Sequence, residues 1–337
     1  MAALSLLRLL GLLLSLVCHV LSSPLRPSEP LRRPLVIWHG LGDSYASPGM
    51  LEFMDLIKEM HPGIFVHSVY QDEDLKEDER AGFFGDVNEQ VRFAAEQIAN
   101  ITELQGGFDA IGFSQGGQFL RAYVEAYNTP PVHNLITFGS QHMGVSDLPA
   151  CRGPWDLFCQ LARRAARGGV YTDWAQRNLV QAQYFRDADR LDVYRARNRF
   201  LAPLNNEADG APQNATFKRN LAGLEGLVLV LFAADKTVVP KESAWFGSYA
   251  PPAEEDGVWP QEKTVVPMRL QPLYKEDWIG LRELDKSGRV VLETCEGEHM
   301  QLTDECWRPL VKRYVGGTLA DDEGYRYGYG EQEVLGV

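Results

Sequence analysis

The five residues Gly112-Phe113-Ser114-Gln115-Gly116 constrain this chain more than any other stretch. They follow the apolar run Phe108-Asp109-Ala110-Ile111 and precede Gln118-Phe119-Leu120-Arg121-Ala122-Tyr123-Val124, which reads as helical. In that setting G-x-S-x-G is a sharp strand-to-helix turn. The turn strains its serine, and flanking glycines let neighbouring backbone pass close by. The Ser114 hydroxyl then stands at a helix N-terminus, where developing negative charge is favoured. A plain Gly-Ser turn is the alternative, and the strand before and helix after weigh against it.

Such a turn needs a sheet to project from. Leu35–Trp38, Ile64–Tyr70, Phe108–Phe113, Leu135–Phe138, Leu227–Phe232 and Val290–Leu292 are apolar runs without strict alternation. That pattern suits strands buried on both faces, as in parallel sheets. Helical periods lie between them: Met50, Phe53, Met54 and Ile57 form one stripe, and Val87, Val91, Ala94, Ile98 and Ile101 a second. The alternation predicts an α/β fold with a mostly parallel, doubly wound sheet. The rhythm breaks between Gly139 and Leu227, a segment rich in Arg, Trp and Tyr that is too long for a loop. It reads as a helical cap insertion at about residues 140–226, within a catalytic domain over 23–316. Residues 317–337 are Gly-, Tyr- and acid-rich and read as a disordered tail.

Arg8 followed by Leu9 to Val17, with Val20 and Ser22 at the −3 and −1 sites, predicts a signal peptide over residues 1–22. A retained signal anchor is the alternative, but the apolar stretch falls short of the ~20 residues that span a bilayer. No stable transmembrane anchor is expected. Cys18 leaves with the signal. Cys151, Cys159, Cys295 and Cys306 remain, an even number that suits an oxidising compartment. Three connectivities are open, and the near-neighbour pairs Cys151–Cys159 and Cys295–Cys306 are the most economical. No C-x-x-C spacing suggests zinc, and no metal is expected. Asn100-Ile101-Thr102 and Asn214-Ala215-Thr216 are glycosylation sequons. With 33 Lys and Arg against 46 Asp and Glu, the net charge of −13 argues against nucleic acid as a partner. It leaves a neutral or lipid-bearing substrate open.

A serine hydroxyl needs a base to take its proton. In hydrolases built on such a turn, the acid and then the histidine follow the serine along the chain. Of the seven histidines only His133, His142 and His299 follow Ser114. Asp235 closes the run Leu227–Ala234, which puts it at the carboxyl edge of the sheet, where sites form. After Asp235 only His299 remains, in the loop Gly297-Glu298-His299. Asp256, Asp277 and Asp285 also precede His299, though none ends so apolar a strand. An oxyanion needs two donors. The backbone N–H of Gln115 is one candidate. Leu41, in the loop His39-Gly40-Leu41-Gly42-Asp43, is the other. His39 and Asp43 can alternatively serve only to cap that loop.

These residues carry a resemblance to the palmitoyl-protein thioesterases, lysosomal type-1 branch, of the α/β-hydrolase fold. The matching stretches are Val36-Ile37-Trp38-His39-Gly40-Leu41-Gly42-Asp43, Gly112 to Arg121, Trp245-Phe246-Gly247, Gly280 to Asp285 and Glu296 to Leu302, in the family's order. The resemblance implies a Ser114–Asp235–His299 triad and oxyanion donors at Leu41 and Gln115. The family usually has Met where Leu41 stands, a change that a backbone donor survives. Cys151–Cys159 is similar to a pair the family carries in its cap. Cys295 and Cys306 depart from the pattern and, if bridged, would staple the His299 loop. The implied activity is removal of palmitoyl groups from S-acylated cysteines of proteins or peptides through an acyl-enzyme on Ser114. It needs no metal or organic cofactor, and a lysosome or vacuole is the implied destination. A secreted lipase or oxyester carboxylesterase would use the same three residues. A catalytically inactive lipid-binding or interaction module would not need them. The family's acyl groove lies under the cap, but its residues here do not follow from motifs.

Overall fold

The computed structural model describes residues 32–147, 169–251 and 263–317. The predicted signal peptide, Cys151, Cys159, Asp256 and the tail after residue 317 lie outside the described residues.

In chain order the first half builds β1 (Leu35–Trp38), α1 (Pro48–Met60), β2 (Val66–Ser68), α2 (Leu75–Ala81), α3 (Val87–Ala99), β3 (Phe108–Phe113), α4 (Gln115–Ala126) and β4 (Val132–Phe138). Short helices follow: α5 (Ala175–Asn178), α6 (Val180–Gln183), α7 (Leu191–Arg197) and α8 (Leu201–Leu204). The chain then forms α9 (Ala215–Ala222), β5 (Gly226–Phe232), the antiparallel pair β6 (Ser248–Tyr249) and β7 (Val265–Val266), α10 (Pro272–Lys275), α11 (Leu281–Lys286), β8 (Val290–Cys295) and α12 (Asp304–Tyr314). Six strands pair in parallel in the order β2-β1-β3-β4-β5-β8. With helices on both faces, this is the α/β-hydrolase fold.

Parallel strands buried on both faces send alternate residues into two cores. Val36, Trp38 and Ala110 pack against α3 and α4, whereas Leu35, Ile37 and Ile111 pack against α1 and α12. Start signals set the helices: the Ser47 hydroxyl accepts the Met50 N–H at 3.2 Å ahead of Pro48, and the Asp86 carboxylate accepts the Asn88 N–H at 2.9 Å.

Three expectations need correction. The runs at Ile64–Tyr70 and Val290–Leu292 are not buried on both faces: β2 and β8 are the two edge strands, Val66 and His67 are half-buried, and Leu292 is 36% exposed. The stripe through Ile101 overshoots, because α3 ends at Ala99 and Asn100 turns the chain out. The region between β4 and β5 is not all insertion, since α9 packs on α4 and belongs to the helical layer of the sheet.

Inside that layer α4 buries Arg121 and Glu125 completely, with Arg121 Nε 3.5 Å from Glu125 Oε1. Burial pushes the Glu125 carboxyl from 4.5 up to about 8, and the Arg121 guanidinium only partly opposes it. The folded chain then keeps a proton that the unfolded chain releases near 4.5. This contribution to stability is complete below the unfolded value and is lost as pH rises through about 8. Denaturant titrations from pH 4 to 8 should show a decline from this group of at most about 1.4 kcal/mol per pH unit. Glu125→Gln should flatten it, and an unchanged slope would refute the assignment.

Cys295, at the end of β8, is disulfide-bonded to Cys306 in α12, eleven residues on. The bridge brackets the loop that carries His299. A loop this short should contribute about 2–3 kcal/mol. Replacing both cysteines by serine should lower the unfolding free energy by that amount in a chemical melt; no change would contradict it.

Candidate active site

Ser114 closes β3 and opens α4, with its backbone at φ 51° and ψ −119°. A non-glycine residue there is strained and is held by its surroundings. The Ser114 N–H donates to Phe138 O on β4 at 2.8 Å. A Cβ at Gly112 would strike the backbone of Gly117, and one at Gly116 would strike the carbonyls of Trp38 and His39. Gly117, which the motif alone does not single out, is equally constrained: a Cβ there would meet Ser140 Oγ and Thr137 Cβ. Its place beside Gly116 is the signal that reveals it.

Asp235 and His299 meet because the pairing of β5 with β8 continues past both strands. Ala233 N–H donates to Cys295 O at 2.9 Å and Ala234 N–H to Gly297 O at 2.8 Å, so the two loops leave the sheet side by side. The Thr237 and Val238 N–H groups donate to Asp235 Oδ1 at 2.8 and 3.0 Å. Asp235 Oδ2 lies 2.7 Å from His299 Nδ1, and His299 Nε2 lies 3.0 Å from Ser114 Oγ. With Nδ1–H donating to the carboxylate, Nε2 presents its lone pair to the hydroxyl. Asp235 is 2% exposed at its side chain and His299 14%, so the acid is shielded while the imidazole reaches the cavity. The edge of the His299 ring meets Phe232, 6.1 Å between centroids.

The competing residues sit elsewhere. His133 Nδ1 lies 2.7 Å from Glu225. His142 is buried beside Thr137 and stacked on Phe246 at 4.7 Å; burial and then Arg121 push its pKa well below the ordinary value. Asp277 pairs with Lys218 at 3.0 Å, and Asp285 with Arg269 at 2.9 Å.

The loop after β1 runs against the serine: a Cβ at Gly40 would lie 3.4 Å from Ser114 Cβ. His39 holds that loop, with Nδ1 3.0 Å from Gly40 O and Nε2 3.1 Å from Asp78 Oδ2. Burial pushes the Asp78 carboxyl up, but His39 and the N–H groups of Gln71 and Tyr45 outweigh it and keep it below the ordinary carboxylate range. His39 thus serves as the loop's cap and ties it to the helix that carries Asp78. Asp78 was not legible as its partner, being one acid among several in an exposed-looking helix. Leu41 and Ser114 line the same cavity, and Gln115 occupies the first turn of α4. The Gln115 carboxamide is clamped: its Nε2 donates to Gly82 O at 3.2 Å, and the Tyr184 hydroxyl donates to its Oε1 at 3.3 Å.

Ser114 and His299 open into a cavity of about 740 Å³, large enough for a long, flexible ligand. Met50, Phe53 and Leu56 of α1, Phe83, Val145 and Trp307 give it apolar walls. In the sequence Met50 and Phe53 read only as part of one helical stripe. The helical period cannot tell a core face from a cavity wall. Asn100 and Asn214 lie on the surface away from these walls; Asn214 caps α9 by accepting the Thr216 N–H at 2.9 Å. Among the described residues no group of three or more His, Cys, Asp or Glu could hold a metal ion, and no helix is long and apolar enough to cross a membrane.

The profile describing "Palmitoyl protein thioesterase" matches residues 34–299. The chain is 42% identical to Palmitoyl-protein thioesterase 1 of Caenorhabditis elegans, over 83% of this chain and 91% of that protein. It is 34% identical to Palmitoyl-protein thioesterase 3 of Dictyostelium discoideum, over 81% and 88% of the two chains. It is also 29% identical to Lysosomal thioesterase PPT2 of Rattus norvegicus, over 83% and 86%. The match spans β1 through the His299 loop, so the chain belongs to the palmitoyl-protein thioesterase family.

Proposed function

We propose that this chain is a serine thioesterase that removes palmitoyl and similar long-chain acyl groups from S-acylated cysteines of proteins or peptides, through an acyl-enzyme on Ser114. The observation that carries the reading is the hydrogen-bonded line Ser114–His299–Asp235, at 3.0 and 2.7 Å, opening into an apolar cavity in a member of this family.

Ser114 Oγ attacks the thioester carbonyl as His299 Nε2 takes its proton. Asp235 keeps Nδ1 protonated and stabilises the imidazolium. The carbonyl oxygen gathers charge facing the N–H groups of Gln115 and Leu41. The C–S bond then breaks. A cysteine thiol has a pKa near 8.5, so its thiolate leaves more readily than an amine. His299 returns the proton to it. Water attacks the acyl-serine carbonyl as His299 takes one of its protons; the bond between the acyl carbon and Ser114 Oγ then breaks, His299 hands the proton to Oγ, and the fatty acid leaves. The walls of the cavity exclude water from the acyl chain, and each buried methylene contributes about 0.8 kcal/mol of binding. We place the enzyme on the secretory route to a lysosome or vacuole. The name of the lysosomal relative supports this, as does the signal-like segment at residues 1–22.

Ser114→Ala should abolish hydrolysis of a palmitoyl-cysteine peptide while circular dichroism stays unchanged; retained turnover would refute the nucleophile. A matched palmitoyl oxyester should turn over more slowly than the thioester, and the reverse ranking would favour the lipase reading. Tyr184→Phe removes one clamp on Gln115. It should lower kcat about fivefold, the worth of one hydrogen bond, with affinity for a non-cleavable palmitoyl thioether unchanged. An unaltered kcat would show that the clamp does not aim the donor.

A further inference from the structure

Among the described residues the sheet ends at β2, whose outer backbone side pairs with no other strand. Beside it, on the α3 face, runs an open groove floored by Phe65, Tyr70 and Phe93. Phe93 is 38% exposed, and its ring centroid lies 6.3 Å from that of Tyr70. An exposed ring beside two half-buried ones, next to a strand edge, is an apolar patch that a covering group would shield. Along α3 the positions Phe93, Gln97 and Asn100 fall at i, i+4 and i+7, one stripe beside the buried one. The stripe therefore ends on Asn100, which lines the groove with Ile101 and Thr102. These three residues are the sequon Asn-Ile-Thr, so the end of the groove is a glycan acceptor.

We infer that Asn100 carries an N-linked glycan whose first N-acetylglucosamine lies in this groove, its C–H face on Phe93 and Tyr70. Asn100 stands at the end of α3, exposed, with its Nδ2 donating to Glu96 O at 2.9 Å. A carboxamide nitrogen carries two protons. Attachment of the sugar replaces one and leaves the other on Glu96 O, which fixes the direction in which the sugar departs. The aromatic floor supplies the apolar surface that a pyranose face packs on, as ring faces do for other apolar groups. The bridge from His67 Nε2 to Gln97 Oε1, 2.8 Å, fixes the strand and the helix on either side of it. Burial lowers the pKa of His67 despite the Gln97 bond, which favours its neutral form.

The test uses the full chain secreted from a eukaryotic host. Glycopeptide mass spectrometry should find Asn100 occupied. Release of that glycan by a peptide N-glycosidase from the native protein should be about two- to tenfold slower than from a Phe93→Ser variant, the range of one aromatic packing contact. Thr102→Val removes the sequon but keeps Asn100. It should speed hydrogen exchange of the β2 amides, and Phe93→Ser should speed it with the glycan still attached. A bare Asn100 overturns the proposal. So does an occupied Asn100 with equal release rates and equal exchange. Groove protection that appears only at high protein concentration would assign the surface to a second copy of the chain and would equally overturn it.

Discussion

The contact of Gly112 with Gly117 is the constraint on which the rest depends. Strand β3 and helix α4 pass so closely that neither position has room for a Cβ. Only with that approach can the chain reverse within one residue, and that residue, Ser114, absorbs the strain at φ 51°. The turn places the hydroxyl above the sheet edge rather than within it. The Gln115 N–H, the first of α4, has no carbonyl four residues back within the helix to bond to. Ser114 is pinned to β4 through Phe138 O, so the cost of the strained turn is spread through the most buried strands of the molecule.

Around that fixed point the other groups arrive by different physical routes. Asp235 and His299 come as a pair, because β5 and β8 stay hydrogen-bonded beyond their ends. The Cys295–Cys306 bridge closes the far side of the His299 loop. The loop after β1 is held from below by the buried His39–Asp78 contact, and Gln115 is held from above by Tyr184. Few of these contacts touch the cavity. They act by reducing the freedom of groups that would face a reacting carbonyl, which is where preorganisation lowers a barrier.

Much of this was legible in the sequence, for identifiable reasons. The central strands β3, β4 and β5 are buried on both faces, so their apolar runs announce them. Ser114, Asp235 and His299, which the fold brings within hydrogen-bonding distance of one another, could be singled out because chain order and strand ends restrict the candidates severely. The edge was less legible: β8 mixes Val290 and Val291 with exposed Glu293 and Thr294, and a short apolar run could not announce that it borders solvent. The cavity walls were not legible either. Met50 and Phe53 satisfy the same helical period whether they face a core or a ligand. Asp78, Tyr184 and Gly82 act through contacts between elements far apart in sequence, which no local pattern encodes.

The most direct test of the central claim is to trap the intermediate. Purified enzyme mixed with a palmitoyl-cysteine peptide, quenched in acid within one turnover and digested, should yield the peptide containing Ser114 with one palmitoyl group on that serine. It should disappear as the substrate is exhausted. Turnover with no acyl group on Ser114, or with the label on another side chain, would contradict the account.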